Sequence, residues 1–251
     1  MNSDLTISLL TFVFTFGGAM LGMGIRGSLP NHHLSTESKD VVKLGMGLVG
    51  TMTALVLGLL VASAKNYYDT QSSELTQISA NVAFLDRVLT HYGPETKEAR
   101  ATLRNACVQF LDHAWSSDGR LSAPTAAGSP GEVFYDQVQA LSPKDESQRA
   151  LKAQALSAMT GLGQMRWLMF TQSASAVSTP LLIALVFWLT ITFISFGLYA
   201  PSNGTVVASL FVAAISVSAA VFLIMEMYRP YAGLIKISSA PLRAAIGQLG
   251  Q

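Results

Sequence analysis

The sequence is poor in charged residues. Asp, Glu, Lys and Arg make up 12% of its 251 residues, whereas hydrophobic residues make up 50%. An ordinary soluble domain carries about 25% charged residues. The shortage is uneven, because 21 of the 31 charged residues lie in the 114 residues of 65–178 and only 10 lie in the other 137. This distribution excludes a purely soluble protein with a single core.

Clustered basic residues, cysteines and catalytic motifs are also missing. The net charge is +1 and no run of Lys or Arg occurs, which excludes a nucleic-acid-binding protein of the basic-patch type. Cys107 is the single cysteine, so the chain forms no internal disulfide and no cysteine-based metal site. There is no Walker motif, G-x-S-x-G, H-E-x-x-H or calcium loop. We therefore predict no catalytic residues, no cofactor and no enzyme activity.

Two adjacent histidines are the best metal-ligand candidates. His32 and His33 lie near Glu37 and Asp40 in a short loop. Tetrahedral zinc sites need four converging ligands, and adjacent loop histidines are more often solvated. We predict no metal site.

Four long apolar segments are what the sequence does have. About 20 apolar residues are needed for a helix to cross a bilayer, and helices satisfy their own backbone groups there. The segments that meet this length are residues 5–25, 41–64, 181–200 and 205–225. The first lacks a preceding basic region and is longer than the apolar part of a signal peptide, so we interpret it as a retained span.

These segments predict an all-α integral membrane protein of four transmembrane helices, with a helical cytoplasmic extension inserted between helices 2 and 3. The predicted domains are transmembrane helices 1 and 2 with a short outer loop (1–64), a cytoplasmic helical bundle (65–178), transmembrane helices 3 and 4 (179–228) and an interfacial C-terminal tail (229–251). Near the membrane, five basic residues lie on the side of the termini and three on the other. The positive-inside rule therefore places both termini and the middle segment in the cytoplasm.

Apolar residues of the middle segment recur at helical spacing. One stripe is Leu75, Ile78, Val82, Leu85 and Leu89. Gly93-Pro94 predicts a break after it, and residues 142–145 predict a capped start for a later helix. Since no breaker follows the second span, we expect that span to continue into the bundle as one helix. No breaker separates the last bundle helix from Pro180, which suits the first turn of the third span, with Ser178 or Thr179 as its cap. A separately folded domain would need a flexible linker, which the sequence lacks.

The second span carries small residues on one face. Gly50, Ala54, Gly58 and Ala62 are four apart, next to Thr51, and Gly18 and Gly22 repeat the spacing in the first span. Such spacing lets two helix backbones approach closely in lipid. One interpretation is packing within a single subunit. The other is a helix face that lines a pore or joins two subunits.

Ionisable residues are absent from the middle of every span. Their absence argues against proton-coupled transport and leaves a passive pore open. Glu226 and Arg229 lie at the end of the fourth span. A local ion pair at i, i+3 is the simpler interpretation, and charges at the mouth of a pore are the alternative.

Several stretches resemble one family. Residues 50–71, 178–188, 196–203 and 226–243 are similar to the bestrophin-like family of bacterial four-span membrane proteins. One departure is Met227-Tyr228, where the family more often has Leu-Asp before Arg-Pro. The resemblance implies a distant relation to bestrophins, which are oligomeric anion channels with helical extensions. It therefore implies a homo-oligomer in the lipid bilayer of the inner membrane, with small anions as the permeant species. The alternative is a non-conducting scaffold or sensor whose bundle binds a partner protein.

Overall fold

A computed structural model describes residues 2–30, 36–116, 128–174 and 178–250 of the protein. The histidines at 32 and 33 lie outside the described residues. Within those ranges the regular structure is helical. The helices are α1 (Asn2–Arg26), α2 (Thr36–Tyr92), α3 (Lys97–Ala114), α4 (Pro130–Gln139), α5 (Glu146–Ala174), α6 (Thr179–Tyr199), α7 (Gly204–Met227) and α8 (Ala240–Gln248), with a 3-10 turn at Pro94–Thr96.

The chain folds into two compact units. The first, which we call the span unit, comprises Met1–Asn66 and Val177–Tyr228, and the second, the bundle unit, comprises Tyr67–Ala176 and Arg229–Gln251. Helices α1, α2, α6 and α7 are long and apolar enough to cross a membrane, which confirms the four predicted segments. The protein is therefore a multi-pass membrane protein.

A short turn joins α6 to α7, and both helices pack against α1. Ala200 ends α6, and Asn203 begins α7 by accepting a hydrogen bond on its side-chain oxygen from the backbone N–H of Val206 at 2.9 Å. Arg26, at the end of α1, donates a hydrogen bond to the carbonyl oxygen of Ala200. A cation at the C-terminal ends of two helices satisfies exposed carbonyl groups there.

Glycines bring α1 and α6 into close contact. A Cβ atom built on Gly22 would lie 2.1 Å from the carbonyl oxygen of Ile194, and one built on Gly197 would lie 1.9 Å from the carbonyl oxygen of Ala19. Neither position has room for a side chain. The small residues of the first span therefore pack within the subunit, as the first interpretation of that spacing predicts.

The bundle unit is built on the continuation of α2. This helix runs without interruption from Thr36 to Tyr92, which confirms the prediction of one long helix through the second span. The helix stops before Gly93, whose φ of 134° is a backbone conformation that residues other than glycine rarely adopt. The predicted stripe is buried in the core of this unit: Leu75, Ile78, Val82, Leu85 and Leu89.

An ion pair joins α2 to α3 beside that core. The guanidinium of Arg100 donates to both carboxylate oxygens of Asp86, at 2.7 and 2.9 Å. Asp86 is 6% exposed, so the pair is largely desolvated. The bidentate geometry supplies the hydrogen bonds that a buried carboxylate needs.

The predicted cap of α5 is also present. Asp145 accepts a hydrogen bond from the backbone N–H of Gln148 at 2.8 Å, and the Gln148 side chain accepts one from the N–H of Lys144. The predicted start of the third span, with Pro180 in its first turn and its cap at Ser178 or Thr179, is confirmed, whereas an uninterrupted run of the last bundle helix up to Pro180 is wrong. Helix α5 ends at Ala174 and α6 begins at Thr179, with Ser178 at ψ 83° outside the helical region. A continuous helix would drive the ring of Pro180 against the carbonyl group four residues earlier.

The C-terminal tail contributes to the core of the bundle unit. Tyr231, Ile237, Leu242 and Leu249 are buried among the apolar residues of α2, α3 and α5. The indole N–H of Trp115 donates to the carbonyl oxygen of Ile237 at 3.0 Å. The apolar residues that favoured an interfacial tail are therefore largely covered by protein. A membrane contact of the exposed Leu234 stays a prediction.

Candidate functional site

The small-residue face of α2 is open in the single chain. Ala54, Gly58 and Ala62 are exposed, and Gly50 is half-buried. Among the described residues, nothing lies within 4 Å of a Cβ atom built on Gly50 or Gly58. In the most apolar 18-residue stretch of α2 only 11% of the residues are buried, whereas 28–33% are buried in the corresponding stretches of the other three spans. Packing within the described part of one chain does not account for this face.

An adjacent side of α2 does pack. Thr53, Leu60 and Ala64 are buried in the span unit. The hydroxyl of Tyr228, which follows α7, donates to the hydroxyl oxygen of Ser63 at 3.1 Å. Helix α2 is thus fixed along one side while the small-residue face points away from it.

The hydroxyl groups of α2 bond to their own helix. Thr51, on the open face, donates to the carbonyl oxygens of Leu48 at 2.7 Å and Gly47 at 3.2 Å, and Thr53 donates to that of Val49 at 2.7 Å. This pattern satisfies a hydroxyl inside the bilayer without a partner helix. Thr51 therefore presents a satisfied hydroxyl on the open face.

The two predicted mouth charges differ in burial. Glu226, near the end of α7, is fully buried in the span unit. Arg229 belongs to the bundle unit and is half-buried. A functional role for either charge, and an ion pair between them, stay predictions.

A polar cluster that sequence reasoning missed lies in the bundle unit. Gln71 is fully buried, and its amide nitrogen donates to the side-chain oxygen of Gln172 at 2.9 Å and to the carboxylate of Glu74 at 3.1 Å. Its amide oxygen accepts from the hydroxyl of Tyr231 at 3.2 Å. Burial raises the pKa of Glu74, and burial followed by the charge of Glu74 raises the pKa of Tyr67 to about 12.

This cluster ties α2, α5 and the tail together. Its members come from three distant parts of the chain, so no local spacing indicates it. The described residues contain no group of three or more His, Cys, Asp or Glu side chains placed to hold a metal ion.

Comparison with known families decides the membership of the chain. A family model described as a bestrophin-like domain matches residues 13–242. The chain belongs to the bestrophin-like family. The match covers nearly the whole chain and includes the second half of the first span, the other three spans and most of the bundle unit. No curated protein and no solved structure matched.

Membership gives meaning to one departure from the family pattern. This bestrophin-like chain has Tyr228 where the resemblance leads us to expect an acid. The structure uses that tyrosine to bond Ser63, and its side chain is buried. In this chain the position therefore holds α2 beside the end of α7 and contributes no charge.

Proposed function

We propose that this bestrophin-like protein assembles as a homo-oligomer in the bacterial inner membrane and provides a passive path for small anions. In the assembly, the Gly50/Ala54/Gly58/Ala62 face of α2, with Thr51 beside it, lies against other copies or lines the central path. The termini and the bundle unit lie in the cytoplasm.

The open face of α2 carries this proposal. Small residues four apart favour close helix–helix approach in lipid, because dispersion contacts between backbones replace contacts with lipid tails. In the span unit the equivalent glycines of α1 already have a partner, whereas those of α2 have none among the described residues. A second copy of the chain supplies the partner that the proposal needs.

The chemistry of the spans supports passive conduction over pumping. The middle of each span has no ionisable residue, so no proton relay of the usual kind is available. A path lined by small residues and backbone passes ions by its width and its dipoles. The family supports anions as the permeant class, since bestrophins are anion channels.

Anion flux into liposomes tests the proposal. We expect liposomes that contain the wild-type protein to dissipate a chloride gradient faster than protein-free liposomes. The Gly58→Leu substitution should reduce this chloride flux severalfold. Gly45→Leu is the matched control, because Gly45 is also exposed with nothing within 4 Å but lies about 140° away around the helix. It should conduct like wild type.

Subunit counting in nanodiscs completes the test. Wild type should give a single closed assembly, and Gly58→Leu should shift it to smaller species. A monomeric wild-type protein, or wild-type flux no faster than in empty liposomes, would refute the channel. It would favour the non-conducting scaffold or sensor.

A further inference from the structure

The bundle unit contains a cavity that the proposed channel does not use. Its volume is about 670 Å³, inside the range of roughly 300–1,000 Å³ typical of pockets for small organic ligands. Residues of α2, α3, α4, α5 and α8 line it. Its apolar wall includes Ile78, Val82, Leu103, Phe110, Met159 and Leu242.

Arg166 of α5 is the basic residue of this wall. It is half-buried, and its guanidinium carbon lies 5.6 Å from the centre of the Phe110 ring. Its apolar surroundings disfavour the charge of the guanidinium, and this burial lowers the pKa of Arg166. Within the described part of the chain, no carboxylate lies within 4 Å of it. A desolvated guanidinium in this position is stabilised when an anion enters.

Two acids also line the cavity, but both lie on its exposed side. Glu132 and Asp136 are exposed residues of α4. The Glu132 carboxylate accepts a hydrogen bond from the backbone N–H of Gly128 at 3.1 Å, which occupies it at the start of α4. The positive charge is therefore more deeply buried than the two negative charges. This arrangement favours an anionic group at Arg166 and disfavours a cation against Phe110.

We propose that the cavity binds a small amphipathic monocarboxylate, with its carboxylate on the guanidinium of Arg166 and its hydrocarbon chain along Ile78, Met159 and Leu242. A planar guanidinium matches a carboxylate with two parallel hydrogen bonds. The hydrocarbon chain of the ligand then fills the apolar part of the cavity, which removes the apolar surfaces of the ligand and of the cavity wall from water. A free carboxylic acid provides such an anion, whereas an anionic phospholipid would present a phosphate to the same guanidinium. The proposal does not depend on ion conduction.

Equilibrium dialysis with radiolabelled octanoate tests this site. The full-length protein is placed in phosphatidylcholine nanodiscs, and empty nanodiscs give the background from partition into lipid. We expect one saturable site per chain. Arg166→Gln should weaken binding at least tenfold, because it removes the charge and keeps a polar side chain. Octyltrimethylammonium, which carries the opposite charge on the same chain, should show no saturable binding.

Two glycines of α5 provide a matched pair of variants. Gly163 lines the cavity and Gly161 does not, and among the described residues nothing lies within 4 Å of a Cβ atom on either. Leucine is a better helix former than glycine, so both substitutions should leave the fold intact. Gly163→Leu should abolish octanoate binding and Gly161→Leu should retain it, with unchanged circular dichroism in both.

A change of nanodisc lipid distinguishes a free carboxylate from a phospholipid as the occupant of the cavity. Octanoate binding that persists in phosphatidylglycerol nanodiscs supports a free carboxylate, and binding lost there assigns the cavity to a phospholipid and overturns the monocarboxylate. No saturable octanoate binding by wild type in phosphatidylcholine overturns the proposal. Equal affinity of wild type and Arg166→Gln, in proteins with equal circular dichroism, also overturns it.

Discussion

Alanine at Gly22 should destabilise the span unit, because the added methyl group collides with the backbone of α6. Its Cβ atom would lie 2.1 Å from the carbonyl oxygen of Ile194 and 2.9 Å from the backbone nitrogen of Leu198. A backbone oxygen cannot rotate away as a flexible side chain can. The helices α1 and α6 must therefore move apart at this level.

The required movement follows from the distances. Real Cβ contacts essentially never fall below 3.0 Å, so the separation must grow by about 0.9 Å at Gly22 and, for Gly197→Ala, by about 1.1 Å from 1.9 Å. A gap of roughly 0.5–1 Å forfeits a quarter to a half of each dispersion contact. Overpacking of this kind costs about 1–3 kcal/mol, and we expect about 2 kcal/mol for each substitution.

A series of glycine-to-alanine substitutions in α1 provides the controls. Gly17 and Gly24 have nothing within 4 Å of a built Cβ atom among the described residues, whereas Gly18 would meet the carbonyl oxygen of Thr190 at 3.2 Å. Alanine favours helix by about 1 kcal/mol over glycine. Gly17→Ala and Gly24→Ala should therefore lose no stability. The stability of Gly18→Ala should lie between the stability of these two variants and that of Gly22→Ala.

Unfolding by SDS in mixed micelles, followed by circular dichroism, measures this series. Combining Gly22→Ala with Gly197→Ala should cost less than the sum of the two, because one separation of the helices relieves both collisions. Equal midpoints for Gly22→Ala and Gly17→Ala would refute the close contact of α1 with α6. A fully additive double variant would refute the shared separation.

Two further predictions concern the bundle unit. Burial raises the pKa of Cys107 to about 12, so N-ethylmaleimide at pH 7.5 should alkylate the native protein at least tenfold more slowly than the denatured protein. Intact mass spectrometry measures both alkylation rates, and equal rates would contradict this prediction. Burial also raises the pKa of Glu74 above 4.5, so the folded state binds its proton more tightly, and stability should rise as pH falls from neutral through that raised pKa. The difference in unfolding midpoint between wild type and Glu74→Gln should change over this pH window, and a constant difference would contradict the assignment.

The spans and the bundle core were predictable because both depend on local pattern. An apolar run of sufficient length indicates a membrane helix whatever its neighbours are. The Leu75-to-Leu89 stripe likewise indicates the buried face of α2 without reference to the helices that cover it. The break before α6 was missed because residues 170–178 contain no Gly or Pro. Pro180 did indicate where α6 starts, because proline is compatible with the start of a new helix but not with the interior of an old one.

The cavity and the polar cluster were not predictable, because both depend on which helices are neighbours. In the sequence Arg166 is one more basic residue close to a span, and Phe110 is one more member of an apolar stripe. Only the tertiary fold brings the guanidinium of α5 over the aromatic ring of α3. Gln71 and Gln172 meet across 101 positions of the chain. Spacing along one helix carries no information about such contacts.

The two glycine patterns differ in a way that the physics of lipid explains. Exposed leucines on a span need no protein partner, since lipid tails are as apolar as leucine. A glycine inside a helix is less favourable than alanine by about 1 kcal/mol, and contact with lipid does not offset that cost. In α1 the close approach of Gly22 to Ile194 offsets it. In α2 the same residue type stands at Gly50 and Gly58 with no such contact in the described chain. In the proposed assembly, another copy of α2 supplies this offset, because it presents a face of matching shape.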